Sequence, residues 1–217
     1  MFWKKKPKTS PQQQMRTTLF GDVPFESWVP SDANEEPWSS FSRALRFKKE
    51  GDTERAKAAL QSIIEQEGLE PRHYLQAYHF LRAMGQKETG QVWIYGVVIE
   101  VGIDKNTFDL LVIYSDLSAR YLGAGGSIVV WDRPNPSLDK EVLNIFEMGV
   151  EFIQHANLHS EERPDELPKG KVRISLLTSQ GIHYGQGMMS IMANDPRAAG
   201  IYDAGSILMR KLAEKAQ

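Results

Sequence analysis

The chain is predicted to be an α+β protein: a mostly antiparallel sheet, made of a meander plus a C-terminal hairpin, covered by helices and preceded by a three-helix N-terminal arm. Three observations predict this. Residues 92–131, VWIYGVVIEVGIDKNTFDLLVIYSDLSARYLGAGGSIVVW, hold four short apolar runs separated by turn-forming residues, the signature of consecutive strands. Residues 171–187 repeat the strand-and-turn pattern. Stretches with helical periodicity flank the meander on both sides, and a sheet this apolar needs such covers. The expected organisation is a flexible or partly docked tail over residues 1–35, a helical arm over 36–90 and an antiparallel-sheet domain over 91–217.

Composition narrows the class before any motif is sought. Of 217 residues, 41% are hydrophobic and 25% charged, within the globular range and long enough to bury a core. The 26 basic and 28 acidic side chains leave a formal charge of −2, which supplies no overall drive towards nucleic acid. Cysteine is absent, so disulfides, thiolate metal sites and cysteine nucleophiles are excluded. No run reaches the roughly 18 apolar residues of a spanning helix, and the basic start lacks the apolar block of an export signal. A cytoplasmic location is the default expectation.

Taken in order, residues 1–35 combine Lys4, Lys5, Lys6 and Lys8 with prolines and a glutamine run. They read as a tail that docks near Phe20 to Trp28, with Pro24, Pro30 and Pro37 favouring an extended connector over a helix. The alternative is a basic arm that touches phosphate or an acidic partner. From Trp38 the period becomes helical, and Gly51-Asp52 breaks it and supplies a new N-cap. Residues 52–67 place Ala56, Ala59, Leu60, Ile63 and Ile64 on one stripe. Gly68 then ends that helix, and Pro71 opens a third running to Met84-Gly85.

In the first strand, alternation puts Trp93, Tyr95, Val97, Ile99 and Val101 on one face and Ile94, Gly96, Val98 and Glu100 on the other. A turn spans residues 102–107, and Phe108, Leu110, Val112 and Tyr114 then oppose Asp109, Leu111 and Ile113. Both strands are apolar on both faces and should be central. Residues 118–122 and 127–131 complete the meander. A helix over residues 138–156 uses Val142, Ile145, Phe146, Gly149 and Phe152, and residues 157–170 form a polar surface connection. Val172, Ile174, Leu176 and Thr178 alternate with Arg173 and Ser175 in the next strand, and Asp195-Pro196 opens the final helix.

Two resemblances follow from these residues. Ala44, Phe47, Gly51-Asp52, Ala56, Leu60 and Ile63 resemble one tetratricopeptide-type helical hairpin of about 34 residues, too few units for a solenoid. The strings Glu70-Pro71-Arg72-His73-Tyr74, Tyr114-Ser115-Asp116, Val129-Val130-Trp131 and Gly181-Ile182-His183-Tyr184-Gly185-Gln186-Gly187 resemble an uncharacterised bacterial protein family without known activity. That likeness runs from about Trp38 to the C-terminus. It implies a bacterial origin and carries over no functional residue.

Several residue groups bear chemistry. His155 and His159 have helical i, i+4 spacing, but without an HExxH pattern or a third ligand they read as a solvated helix end, so no metal is expected. Arg72, Gln76 and His79 share a polar helix face that either binds a partner or anion, or hydrogen-bonds the arm to the sheet; His73 points to the apolar side as a satisfied core histidine. Gly123-Ala124-Gly125-Gly126 leads into a strand rather than a helix, which makes it a hairpin turn and not a phosphate loop. Asp116, Arg120 and Tyr121 lie at the meander's polar edge, and His183, Tyr184 and Gln186 lie in the glycine-flanked hairpin. Those glycines serve either close approach to another surface or a tight turn.

These nine residues, Arg72, Gln76, His79, Asp116, Arg120, Tyr121, His183, Tyr184 and Gln186, are the candidate binding positions. No GxSxG or comparable pattern marks a nucleophile, and no cofactor is implied. The leading expectation is a non-enzymatic interaction or accessory protein. A small-ligand sensor is the alternative, and an enzyme using His183 with Asp116 or Arg120 is the third reading. A protein partner or a small molecule is thus the expected contact; nucleic acid and a membrane span are not.

Overall fold

A computed structural model describes residues 11–30, 34–87, 89–104, 107–154, 157–159, 164 and 166–215. The fold is α+β, as the patterning predicts. Its sheet of seven strands comprises β1 (Ile94–Asp104), β2 (Thr107–Tyr114), β3 (Ala119–Leu122), β4 (Ile128–Trp131), β5 (Asn157–His159), β6 (Lys171–Thr178) and β7 (Gly181–Met188). They run antiparallel in the order β4-β3-β2-β1-β6-β7-β5. The C-terminal hairpin therefore joins the meander at β1, placing β1 at the centre of the sheet.

Helices α1 (Pro11–Phe20), α2 (Phe25–Trp28), α3 (Trp38–Lys49), α4 (Thr53–Ile64) and α5 (Pro71–Ala83) precede the sheet. Helix α6 (Asp139–Ile153) follows a short 3-10 turn, Pro136–Leu138, and α7 (Met189–Met192) and α8 (Ala199–Lys215) close the chain. One sheet face is covered by α6 and α8. There Val97, Ile99, Leu111, Ile113, Ile174 and Leu176 pack with Val142, Ile145 and Phe152 of α6 and with Ile201, Leu208 and Leu212 of α8. On the other face Val98, Leu110, Val112, Tyr114 and Leu177 meet Leu19 and Phe20 of α1 and Leu75 of α5. Each buried aliphatic side chain contributes roughly 1.5–3 kcal/mol, so the two layers account for most of the driving force.

The arm differs from its prediction in how it covers the sheet. Helices α3, α4 and α5 form a separate core with α2, built from Phe25, Trp28, Phe41, Ala44, Leu60, Ile63, Ala77, Phe80 and Leu81, to which no sheet residue belongs. Its last helix, α5, packs on β1, and α1 packs on α5. The segment predicted as a tail with an extended connector thus contains two helices. Docking starts well before Phe20, because Arg16 is 1% exposed. Lys4, Lys5, Lys6 and Lys8 lie outside the described residues.

Two strand details also depart from simple alternation. The register between β1 and β6 shifts between Ile94 and Gly96, which puts Tyr95 on the Val98 face and Ile94 on the Val97 face. Tyr95 can then stack on Tyr74 of α5, ring centroids 5.4 Å apart, and a continuous period-2 reading misses this bulge. At the other end β1 runs past Gly102 to Asp104 before the chain turns. In the presumed polar connection, α6 ends at Ile153 and residues 157–159 pair with β7 as an edge strand. His155 lies outside the described residues, and His159 is in that strand rather than on a helix. Among the described residues no three His, Asp or Glu side chains gather as metal ligands, and no helix is long and apolar enough to cross a membrane.

Candidate ligand pocket

The face carrying α1 and α5 is not covered evenly. Strands β1 and β2 lie under the helices, but β3 and β4 extend beyond them, and Ile128 and Val130 are 51% and 57% exposed. Between α1 and this outer part of the sheet lies a cavity of about 510 Å³. It is walled by Met15, Leu19, Leu122, Ile128 and Val130, with Gln14, Thr18 and Tyr121 at its border and Arg72 and Arg120 as its charged groups. Cross-strand pairing explains the sheet wall. Arg120 opposes Val130 and Leu122 opposes Ile128, and directly paired residues share a face. Pairing of Arg120 with Val112 and Leu122 with Leu110 fixes that face as the one beneath α1.

The two arginines are held in a particular way. Arg120 donates through Nη1 to the carbonyls of Ala119 (2.9 Å) and Trp131 (3.1 Å) and through Nη2 to Asp132. Arg72 donates to Glu70 through Nε (3.2 Å) and Nη2. In both pairs the guanidinium is the sheltered member: Arg72 is 26% exposed against 52% for Glu70, and Arg120 is 14% against 70% for Asp132. Helical α5 and strand β3 therefore place two cations in the pocket wall, with their carboxylates on the solvent side. Beneath them Tyr114 is buried, its hydroxyl donating to Leu19 O at 2.7 Å. Burial raises its pKa well above the usual phenol value, which keeps it a neutral donor that ties α1 to β2.

The other predicted positions separate into different roles. Gln76 is fully buried and accepts from Val23 N (3.1 Å) while donating to Val23 O (2.8 Å), so it fastens the α1–α2 link to α5. His79 lies against Phe80, ring centroids 5.6 Å apart. Asp116 sits in the β2–β3 turn and accepts from Ser118 N at 2.9 Å, the work of a turn residue. Tyr121 borders the pocket, but its ring packs beside the α6–α8 core and its hydroxyl donates to Asp109 at 3.3 Å.

His183 does not meet Asp116 or Arg120. A single cross-strand row runs His183, Leu176, Val97, Ile113, Ala119. Four strand steps of about 4.8 Å separate its ends by about 19 Å, and Arg120, next to Ala119, faces the opposite side. Asp116, in the turn between β2 and β3, is at least three such steps from β7. The proposed acid–base set is therefore too dispersed for direct proton transfer. The hairpin glycines serve packing: a Cβ at Gly185 would lie 2.9 Å from the Phe152 ring, and one at Gly187 3.2 Å from the Met192 sulfur.

Half-buried Tyr184 and exposed Gln186 border instead a buried charge cluster absent from the candidate positions. Glu100, 0% exposed, accepts from Arg16 Nε (2.6 Å) and Arg173 Nη1 (3.3 Å). Arg173 also donates to Gln186 Oε1 (2.9 Å), Pro164 O (2.8 Å) and Glu166 O (2.8 Å), and it lies under the Tyr184 ring. Arg16 reaches Pro164 O at 3.3 Å. A glutamate amid valines and isoleucines, and an arginine alternating with apolar residues, were the available signals. Only the register, which sets Glu100 opposite Arg173 and Arg173 opposite Gln186, unites them.

His73 is a core histidine whose hydrogen bonding differs from expectation. It sits among Trp28, Trp38 and Phe41, and among the described residues its Nδ1 has no hydrogen-bond partner. Burial lowers its pKa below the ordinary 6.5; Glu70 opposes this and Arg72 adds to it. A depressed folded-state value means the unfolded chain takes the proton first. The stability held by neutral His73 is therefore complete above 6.5 and is lost as pH falls through the folded value. Urea midpoints are expected to drop between pH 7 and 5, and His73→Phe should flatten that slope; an unchanged slope would refute the assignment.

No protein-family model, curated protein or solved structure matches this chain.

Proposed function

We propose that this chain is a non-enzymatic small-ligand-binding domain, with the cavity between α1 and strands β3–β4 as its site. The cavity carries this reading: its volume of about 510 Å³ falls in the range of small-molecule sites, and it combines an apolar wall with a few convergent polar groups. The dispersal of His183, Asp116 and Arg120 supports a binding role over catalysis. Four residues of α1 line the cavity, so a ligand held there bears on how firmly α1 is docked.

The neutral fluorophore N-phenyl-1-naphthylamine provides the test. Its emission is expected to rise with saturable one-to-one stoichiometry, and Thr18→Trp, which projects a bulky ring into the cavity, should abolish the rise. Linear, non-saturable emission, or emission indifferent to Thr18→Trp, sinks the reading.

A protein-contact function has one observation in its favour. Leu143 and Val150, seven residues apart on α6, are 49% and 55% exposed on one face of that helix. The α3–α4 pair, with Ala44, Leu60 and Ile63 in its core, also supports the tetratricopeptide-like reading of that hairpin. The cavity carries more, because it brings charge and apolar surface together in one place.

A further inference from the structure

Resting on the ligand-binding reading, we propose that the pocket takes a small amphipathic anion: an apolar body against Met15, Leu19, Leu122, Ile128 and Val130, and a carboxylate-type head between Arg72 and Arg120. Among the described residues the lining contains two arginines and no aspartate or glutamate. The carboxylates that balance these arginines, Glu70 and Asp132, are the more exposed members of their pairs, at 52% and 70%. Positive charge thus faces the cavity, and the compensating negative charge faces water.

The donor inventory points the same way. Arg72 engages Glu70 through Nε and Nη2, so Nη1 remains available on the pocket side; Arg120 commits Nη1 and Nη2 and retains Nε. Exposed ion pairs contribute little, so Glu70 and Asp132 compete weakly for groups that a ligand head in the pocket can reach. Guanidinium donors match a carboxylate in geometry, and such charge-assisted bonds strengthen as the surroundings dry. A cationic head finds no acceptor carboxylate among the described residues of the wall. A wholly apolar ligand leaves two half-sheltered guanidiniums short of their water. A multiply charged head fits poorly, since each cation is already half neutralised by its own carboxylate.

Displacement of N-phenyl-1-naphthylamine from the full chain tests this with three matched probes: decanoate, decan-1-ol and decyltrimethylammonium. Decanoate is expected to displace the dye at a concentration roughly ten-fold or more below decan-1-ol, the worth of one charge-assisted hydrogen bond. Decyltrimethylammonium should be the weakest of the three. In Arg72→Gln and Arg120→Gln the decanoate advantage over decan-1-ol, taken as a ratio within each variant, should shrink towards parity. Should either variant fail to bind dye, 1 M sodium chloride on the unaltered chain serves instead, lowering the decanoate advantage and leaving decan-1-ol unaffected.

Equal displacement by decanoate and decan-1-ol overturns the anion inference and leaves the pocket reading standing. Preference for the ammonium probe overturns it more directly. Failure of the dye to bind at all removes both.

Discussion

Glu100→Gln is expected to destabilise the chain by about 3–5 kcal/mol, the cost of stranding buried charges. The substitution preserves shape and removes one negative charge from between Arg16 and Arg173, each 1% exposed. Among their other acceptors are the neutral Pro164 and Glu166 carbonyls and Gln186, which stabilise a guanidinium less than a carboxylate does. Since small domains are stable by only about 5–15 kcal/mol, the urea midpoint should fall by a large fraction of its value. The five tryptophans give the readout. Arg16→Met combined with Glu100→Gln should recover part of the loss, because one of the two cations that lose the Glu100 carboxylate goes with it. A single-variant loss under about 1 kcal/mol would show that Glu100 is not compensating these cations, the worth of an exposed pair.

Gly102→Ala should cost about 3 kcal/mol, the upper part of the overpacking range. A Cβ there would stand 2.2 Å from Pro168 O and 2.9 Å from Pro168 C, both backbone atoms. The segment is pinned in place because Gly170 N donates to Gly102 O at 2.8 Å, so it cannot retreat without breaking that bond. Just upstream, Pro164 and Glu166 supply carbonyls to the charge cluster, and displacement of Pro168 disturbs them as well. Gly205→Ala makes the contrast. Its Cβ would also fall at 2.2 Å, but from Ile99 Cδ1, the far end of a side chain that can change rotamer. Gly102→Ala is therefore expected to be the more damaging of the two in urea unfolding, and the reverse order would refute this account.

Much of the fold is legible in the sequence because its signals are local. Phe108, Leu110, Val112 and Tyr114 do share the face under α1 and α5, and Leu111 and Ile113 the face under α6 and α8. The stripe from Ala56 to Ile63 does form the buried side of α4. Tyr95 escaped the same reasoning because a register shift is a property of two strands, not one. Helix α1 escaped because Arg16 gives no apolar stripe; its helix is held by an ion pair with a residue 84 positions away. Arg72 was legible on a polar helix face, and Arg120 and Tyr121 at the meander's polar edge. That they border one cavity, while Gln76 and Asp116 hold backbone, depends on packing that no local window contains.

What the sequence by itself determined is the α+β class, the facing of most strand residues and the covering helices other than α1. These follow from periods of 2 and 3.6, which each element expresses alone. Tertiary structure decided that β6 pairs with β1, that Glu100 lies opposite Arg173, and that α1 stops short of β3 and β4 to leave a pocket with two arginines. Those outcomes depend on hydrogen bonds and charge compensation between residues far apart in the chain, where the pairing that buries the most surface with every polar group satisfied prevails over any local preference.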